Sequence, residues 1–362
     1  MIPWLLFPYR DALPGLSVFR YITFRAAMAA ATAMILSLIF GPWVIRTLTR
    51  LKLGQFILSD SPDSHQAKAG TPTMGGLLIV GTILVSTLLW CELRSGVTWV
   101  ALVSLVGFCA VGAFDDAKKL LRKQNLGLRS WQKMALLTLI TLLVSWLILH
   151  FNLRGLQTSQ LSVPFFKKFR PDVGIFLVPW IWLVVVGTSN AVNLTDGLDG
   201  LATGGTLIVA TTFAILAYVA GHAKIAGYLM VPHVPGGGEL AVFLGAMAGA
   251  ALGFLWYNAH PAEVFMGDTG SLALGGALGT AAIMIKQELL LVIAGGLFVL
   301  EAVSVILQVG SFKLRGGKRI FRMAPFHHHM ELGGLKETKV VIRLWITAIV
   351  CSMLALSSLK LR

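Results

Sequence analysis

Carboxylate and amide side chains gather at three places in this sequence, each at the edge of an apolar run. The first is GAFDDAKK at 112–119, where Asp115 and Asp116 stand side by side with Lys118 and Lys119 behind them. The second is NAVNLTDGLDG at 190–200, which follows the run GIFLVPWIWLVVVG and sets Asn190, Asn193, Asp196 and Asp199 at steps of three. The third is FMGDTGS at 265–271, with Asp268 between glycines. Paired aspartates can hold Mg²⁺ through carboxylate oxygens while a neighbour accepts a proton. Glycines beside Asp268 allow backbone to approach a phosphate. Each cluster also has a plainer reading on spacing alone: a polar helix end with Asp capping the next segment for 190–200, and solvated charges at a helix end for 115–119.

Basic and aromatic residues suited to anions lie elsewhere. The stretch PFHHHMELGG brings His327, His328 and His329 close to Lys313, Arg315, Lys318, Arg319 and Arg322. Three consecutive imidazoles seldom converge tetrahedrally and no Cys joins them, so phosphate oxygens suit this run better than zinc. HQAKAGTPTMGG sets His65 and Lys68 before a Thr-Pro turn, and Lys123, Arg129 and Lys133 follow the Asp pair. These serve as phosphate contacts or as ordinary loop and juxtamembrane charges. Phe265 either stacks on a base or sits at an interface. Glu301 and Gln308, seven residues apart, put polar groups on one face of an apolar run, as a buried pair or as the wall of a site.

The elements that position these groups follow from composition. Hydrophobic residues make up 56% of the 362 and charged residues 13%. That balance marks an integral membrane protein. A spanning helix needs ~20 mostly apolar residues, and about ten runs approach that length. They lie near 22–48, 74–91, 97–114, 132–151, 173–191, 200–220, 239–257, 269–285, 287–309 and 340–359. The expected fold is therefore an all-α integral membrane protein with about ten transmembrane helices and an active-site cleft at the cytoplasmic face. It forms a single polytopic membrane domain over 1–362, with 1–20 as an interfacial segment and 310–340 as a basic, His-bearing loop.

Loops 49–73, 115–133, 188–199, 257–270 and 310–340 together carry more Lys and Arg than the termini and the loops that alternate with them, although 188–199 and 257–270 carry none, which puts this set in the cytoplasm. The three carboxylate clusters fall on that same face. Ionisable groups at membrane depth cost ~2.5–3.5 kcal/mol at a helix centre and usually mark function. The net charge of +14 fits anionic lipid or a phosphorylated substrate rather than nucleic acid. Three scattered cysteines imply no disulfide framework. Gly245, Gly249 and Gly253, and then Gly275 and Gly279, repeat the small-residue spacing of closely packed helices. QTSQLSVPFF and GYLMVPHVPGGGEL read as short hairpins on the far face.

Five motifs in order, KAGTPTMGG at 68–76, GAFDDAKK at 112–119, NAVNLTDGLDGLATG at 190–204, FMGDTGSLALGG at 265–276 and APFHHHME at 324–331, resemble those of the polyprenyl-phosphate N-acetylhexosamine-1-phosphate transferases. They cover nearly the whole chain. The uninterrupted histidines after Pro-Phe look like the branch that uses a muramoyl-pentapeptide donor. MELGG departs from that pattern, which has a Lys or similar polar residue after the Leu.

The resemblance implies transfer of phospho-MurNAc-pentapeptide from UDP-MurNAc-pentapeptide to undecaprenyl phosphate at the inner membrane of a bacterium, giving lipid I and UMP. It implies Mg²⁺ on Asp268 with Asp115, Asp116 and Asp199, and Asp115 as the base. It assigns Lys68, Asn193, Asp196, Gly197, Leu198, Asn258 and Phe265 to the nucleoside pocket, with Asn190 and Asp199 in the same substrate-binding stripe. His327 counts among the catalytic groups, His328 and His329 contact substrate, and Lys119 and Lys133 meet phosphate. A homodimer is left open. Two other functions compete: a sister enzyme using UDP-GlcNAc, and a secondary transporter with broken helices.

Overall fold

The computed structural model describes residues 2, 14–51, 70–122, 127–151, 159–166 and 169–360. Lys68, His65, Lys123 and most of the 1–20 segment lie outside them. The chain is helical: α1 (Ile22–Arg50), α2 (Gly76–Trp90), α3 (Gly96–Arg122), α4 (Ser130–His150) and α5 (Leu177–Thr195) come first. They are followed by α6 (Leu201–Gly221), α7 (Ala223–Leu229), α8 (Gly237–Asn258), α9 (Gly267–Met284) and α10 (Glu288–Ala294). α11 (Gly296–Leu314), α12 (Phe326–Glu331) and α13 (Glu337–Ser357) complete the chain. Among the described residues no β-strand forms, only an isolated antiparallel bridge between Gln160 and Asp172.

Among the described residues eight helices are long and apolar enough to cross a membrane, so the protein is a multi-pass membrane protein. All ten apolar runs are helical, but their lengths differ from the expected set. α2 has 15 residues, a rise of about 22 Å, short of the ~30 Å hydrocarbon layer. The ninth run breaks at Gly295 into α10 and α11. α2 tolerates its shortness because most of its residues are buried and its start is tied to other backbone: the amides of Gly75 and Gly76 bond to the carbonyls of Phe265 and Met266 at 2.8 and 2.9 Å. Buried backbone that leaves a helix at membrane depth must find such partners.

Large apolar side chains such as Trp43, Trp146, Leu183, Ile306 and Met353 point outward, while small residues face inward. The Gly245, Gly249 and Gly253 stripe of α8 lies on α1, and a Cβ on Gly249 would come within 2.0 Å of the Ala30 carbonyl oxygen. Backbone contact that close replaces the hydrophobic drive that lipid cannot supply between helices.

At the ends of α1, α2 and α8 remote from the carboxylates, Arg25 and Glu239 form a buried two-pronged pair at 2.7 and 2.9 Å. Glu239 also accepts the Glu92 amide at 2.8 Å, and Arg25 donates to the Trp90 carbonyl at 3.3 Å. Removing one member strands a buried charge. Glu239→Ala is therefore expected to destabilise the protein by ~3–5 kcal/mol, read as a lowered unfolding midpoint in detergent. The paired change Arg25→Met with Glu239→Leu should recover most of that loss.

The two expected hairpins fare differently. Around the Gln160–Asp172 bridge, Leu161 N bonds to Pro171 O and Val173 N to Ser159 O, both at 2.9 Å. The second segment instead ends α7, a seven-residue helix whose N-terminus is capped by His222 accepting from the Ile225 amide. Beyond that helix, Pro232 and Pro235 lack the N–H groups a hairpin ladder needs, and the chain runs on into α8.

Candidate active site

The site forms where α3 meets the N-terminus of α9. Gly112 lets the two backbones touch, and Asp115 and Asp116 follow one turn later on the same helix. α9 opens at Gly267, whose φ of +72 is left-handed and suits only a residue without a Cβ. The first amides of a helix lack intrahelical acceptors. Asp116 supplies one from across the interface: its Oδ2 accepts Thr269 N at 2.9 Å and Thr269 Oγ1 at 2.7 Å. Negative charge at that end also matches the helix dipole.

Asp115, Asp116 and Asp268 each bring one oxygen into a group spanning no more than 4.8 Å, close enough to hold a metal ion. Two lysines offset the charge. Lys119 Nζ lies 2.8 Å from Asp268, 2.9 Å from Asp115 and 3.6 Å from Asp116. Lys133, from the first turn of α4, lies 2.9 Å from Asp268 and 3.9 Å from Asp115. Asn193 donates to the other Asp268 oxygen at 2.6 Å and to Ser271 Oγ at 2.8 Å. Asp268 is thus held on both oxygens by groups from three other helices.

The segment after α5 closes the site. Asp196 accepts the Gly267 amide, and burial together with the Asp268 and Asp116 carboxylates pushes its carboxyl up to about 8. A cation held by these carboxylates would compete with that proton. Divalent-cation affinity is therefore expected to rise as pH increases from 7 towards 9, as Asp196 ionises, and to lose that dependence in Asp196→Asn. Titration with Mn²⁺ at several pH values measures this.

Not every expected residue meets the triad. Asp199, expected around the same cation as Asp268, belongs to a second group with His260 and Glu337. Its Oδ2 lies 3.0 Å from His260 Nδ1 and 3.2 Å from the Ala262 amide, and its own amide donates to Glu337 at 3.0 Å. Asn190 turns back to the Val186 carbonyl at 2.8 Å. Asn258 is buried and braces the loop before α9, accepting from Thr203 and donating to the Val264 carbonyl. Phe265 is half-buried, and its backbone pairs with Pro72 and Gly75. Leu198 is buried.

The three histidines diverge. His327 is buried, with Nδ1 3.1 Å from Glu301 and Nε2 against the Gly197 backbone, where a Cβ would sit 2.3 Å away. His328 pairs with Glu331 at 2.9 Å. His329 accepts the Arg322 amide at 3.1 Å and packs on Phe321 and Phe326.

Sequence reasoning missed Thr269 and Ser271, which orient Asp116 and Asn193, and the His260–Glu337 partnership. The first two stood inside the quoted FMGDTGS and carried a hydroxyl signal. Glu337 opens α13 just beyond the APFHHHME motif but outside it, and nothing in its spacing ties it to His260.

The chain matches a family model described as glycosyl transferase family 4 over residues 98–286. Residues 68–80 match the phospho-N-acetylmuramoyl-pentapeptide-transferase signature 1. The chain is 53% identical over 362 residues to the phospho-N-acetylmuramoyl-pentapeptide-transferase of Citrifermentans bemidjiense, covering 100% of both proteins. It is similar to the same degree and extent to that of Geobacter sp. strain M21. With that of Oleidesulfovibrio alaskensis it shares 52% over 363 residues, again over 100% of both.

Proposed function

Because the chain belongs to glycosyl transferase family 4, among its phospho-N-acetylmuramoyl-pentapeptide-transferases, we propose that the site assembled on α3, α4, α5 and α9 performs that transfer. Phospho-MurNAc-pentapeptide passes from UDP-MurNAc-pentapeptide to undecaprenyl phosphate, giving lipid I and UMP. The observation that carries this assignment of the site is the meeting of Asp115, Asp116 and Asp268 with Lys119 and Lys133 at the head of α9.

Carboxylate oxygens are the hard donors that Mg²⁺ prefers, so Asp268 with Asp115 and Asp116 would hold it. Its charge would offset that of the donor diphosphate. Asp115 accepts the proton when the acceptor phosphate arrives protonated. The freed phosphate oxygen attacks the sugar-linked phosphorus in line and forms a new P–O bond. The bond from that phosphorus to the bridging oxygen breaks, and UMP leaves with the electron pair. Lys119 and Lys133 turn from carboxylate to phosphate oxygens as the anions enter. Asp196, Gly197, Leu198 and Asp199, with Phe265, line the nucleoside pocket, and His327 and His328 meet the diphosphate. The site faces the cytoplasm from the bacterial inner membrane, where a soluble nucleotide and a lipid phosphate can meet.

The test is UMP release from UDP-MurNAc-pentapeptide by the purified chain in detergent, with and without Mg²⁺ and undecaprenyl phosphate. Dependence on both supports the reading. Release with UDP-GlcNAc instead moves the chain to the sister donor, and a burst of UMP without lipid replaces direct attack with an aspartyl phosphate on Asp268.

A further inference from the structure

The seven-residue step between Glu301 and Gln308 gives α11 a polar face, and both side chains reach the segment 318–331. Gln308 accepts the amides of Ile320 and Phe321, each at 3.0 Å, and donates to the Phe321 carbonyl at 2.9 Å. Glu301 is fully buried and holds His327 twice through Oε2: the ring Nδ1 at 3.1 Å and the backbone N–H at 3.3 Å. With Nδ1 committed, the nitrogen left to act is Nε2. It lies against the turn that carries Asp196 and Asp199, at the one residue there, Gly197, whose missing side chain admits it.

Among the described residues, neither Nε2 of His327 nor Oε1 of Glu301 has a hydrogen-bond partner, and both atoms are buried. Buried polar atoms without partners are rare, and each asks for an explanation. A carboxylate behind an imidazole is a recurring way to select which ring nitrogen faces a ligand and to keep the ring from turning.

We propose that Glu301 is a positioning residue for the phosphoryl transfer: it locks the His327 ring so that Nε2 faces the Gly197 turn and the diphosphate end of a donor bound beside it. The orphaned Nε2 is the atom that donor completes. This role rests on the reading that His327 meets the donor. Glu301 itself touches no reacting atom. Without it the ring turns about its χ angles, and the two nitrogens exchange places that are not equivalent.

A double-mutant cycle tests the proposal, with kcat, donor KM, lipid KM and thermal midpoint measured for each variant. Glu301→Leu is expected to lower kcat/KM for the nucleotide donor by ~10- to 100-fold, the range typical of a residue that orients a working histidine. Lipid KM should change little. Glu301→Gln keeps an oxygen for Nδ1–H and should lose less, which preserves the test if the Leu variant fails to fold. In a His327→Ala background either Glu301 change should cost nothing further, because its effect passes through the ring. Equal losses with and without His327, or a lowered thermal midpoint with unchanged donor kinetics, would make Glu301 a structural brace only. Wild-type rates in His327→Ala itself would instead remove the donor contact, and this role with it.

Discussion

Asp268→Asn is expected to lower the rate of UMP release by ~10³-fold or more, from the loss of a preorganised charge at the reacting centre. Its thermal midpoint should stay near that of the unaltered protein. Asp268 is the point on which the site converges, with Lys119 and Lys133 on one oxygen at 2.8 and 2.9 Å and Asn193 on the other at 2.6 Å. Asparagine keeps the volume and one carbonyl oxygen but removes the negative charge. The folded state tolerates this, since Lys119 retains Asp115 at 2.9 Å. Cation binding and transfer are expected not to tolerate it. Mn²⁺ titration and steady-state UMP release on the same preparation separate the two effects. Activity within tenfold of the unaltered protein would remove Asp268 from the centre of the mechanism.

The second large effect is expected from a residue that touches no substrate. A Cβ on Gly112 would lie 2.1 Å from the Asp268 carbonyl oxygen and 2.5 Å from its carbon. Neither atom can swing aside, because both are helix backbone. Gly112→Ala therefore forces α3 and α9 apart by a large fraction of an ångström or more. Asp115 and Asp116 travel with α3, and Asp268 travels with α9. Misplacing catalytic groups on that scale costs ~10²-fold in rate, and overpacking adds ~1–3 kcal/mol of destabilisation. Gly81→Ala is the control: among the described residues nothing lies within 4 Å of its Cβ, and alanine is the better helix former. If Gly112→Ala matched Gly81→Ala in rate, the claim that close helix contact sets the triad would fall.

The two substitutions separate kinds of information. Asp115, Asp116, Asp196 and Asp268 were legible because charges beside long apolar runs are costly and therefore conspicuous. The all-helical membrane fold was legible for a related reason, since a bilayer lets only closed hydrogen-bonding patterns cross it. Helix number was less so. α2, with 15 residues, is stabilised at its start by backbone bonds to residues 265–266, and no window of hydropathy contains that information.

Side-chain direction was the part composition and spacing could not supply. His327, His328 and His329 are consecutive, yet one turns to Glu301, one to Glu331 and one to the Arg322 amide. Asp196 and Asp199 are three residues apart on a single turn. The first accepts the Gly267 amide beside Asp268, while the second joins His260 and Glu337. The chain's own residues determine which groups are costly to bury and which segments cross the membrane, because those are local properties of side chain and window. Which carboxylates share a space, and which imidazole nitrogen faces a turn, depends on where helices distant in sequence touch. At Gly112 and Gly197 that contact is set by the absence of a side chain, whose consequence appears only when the opposing backbone or ring is in place.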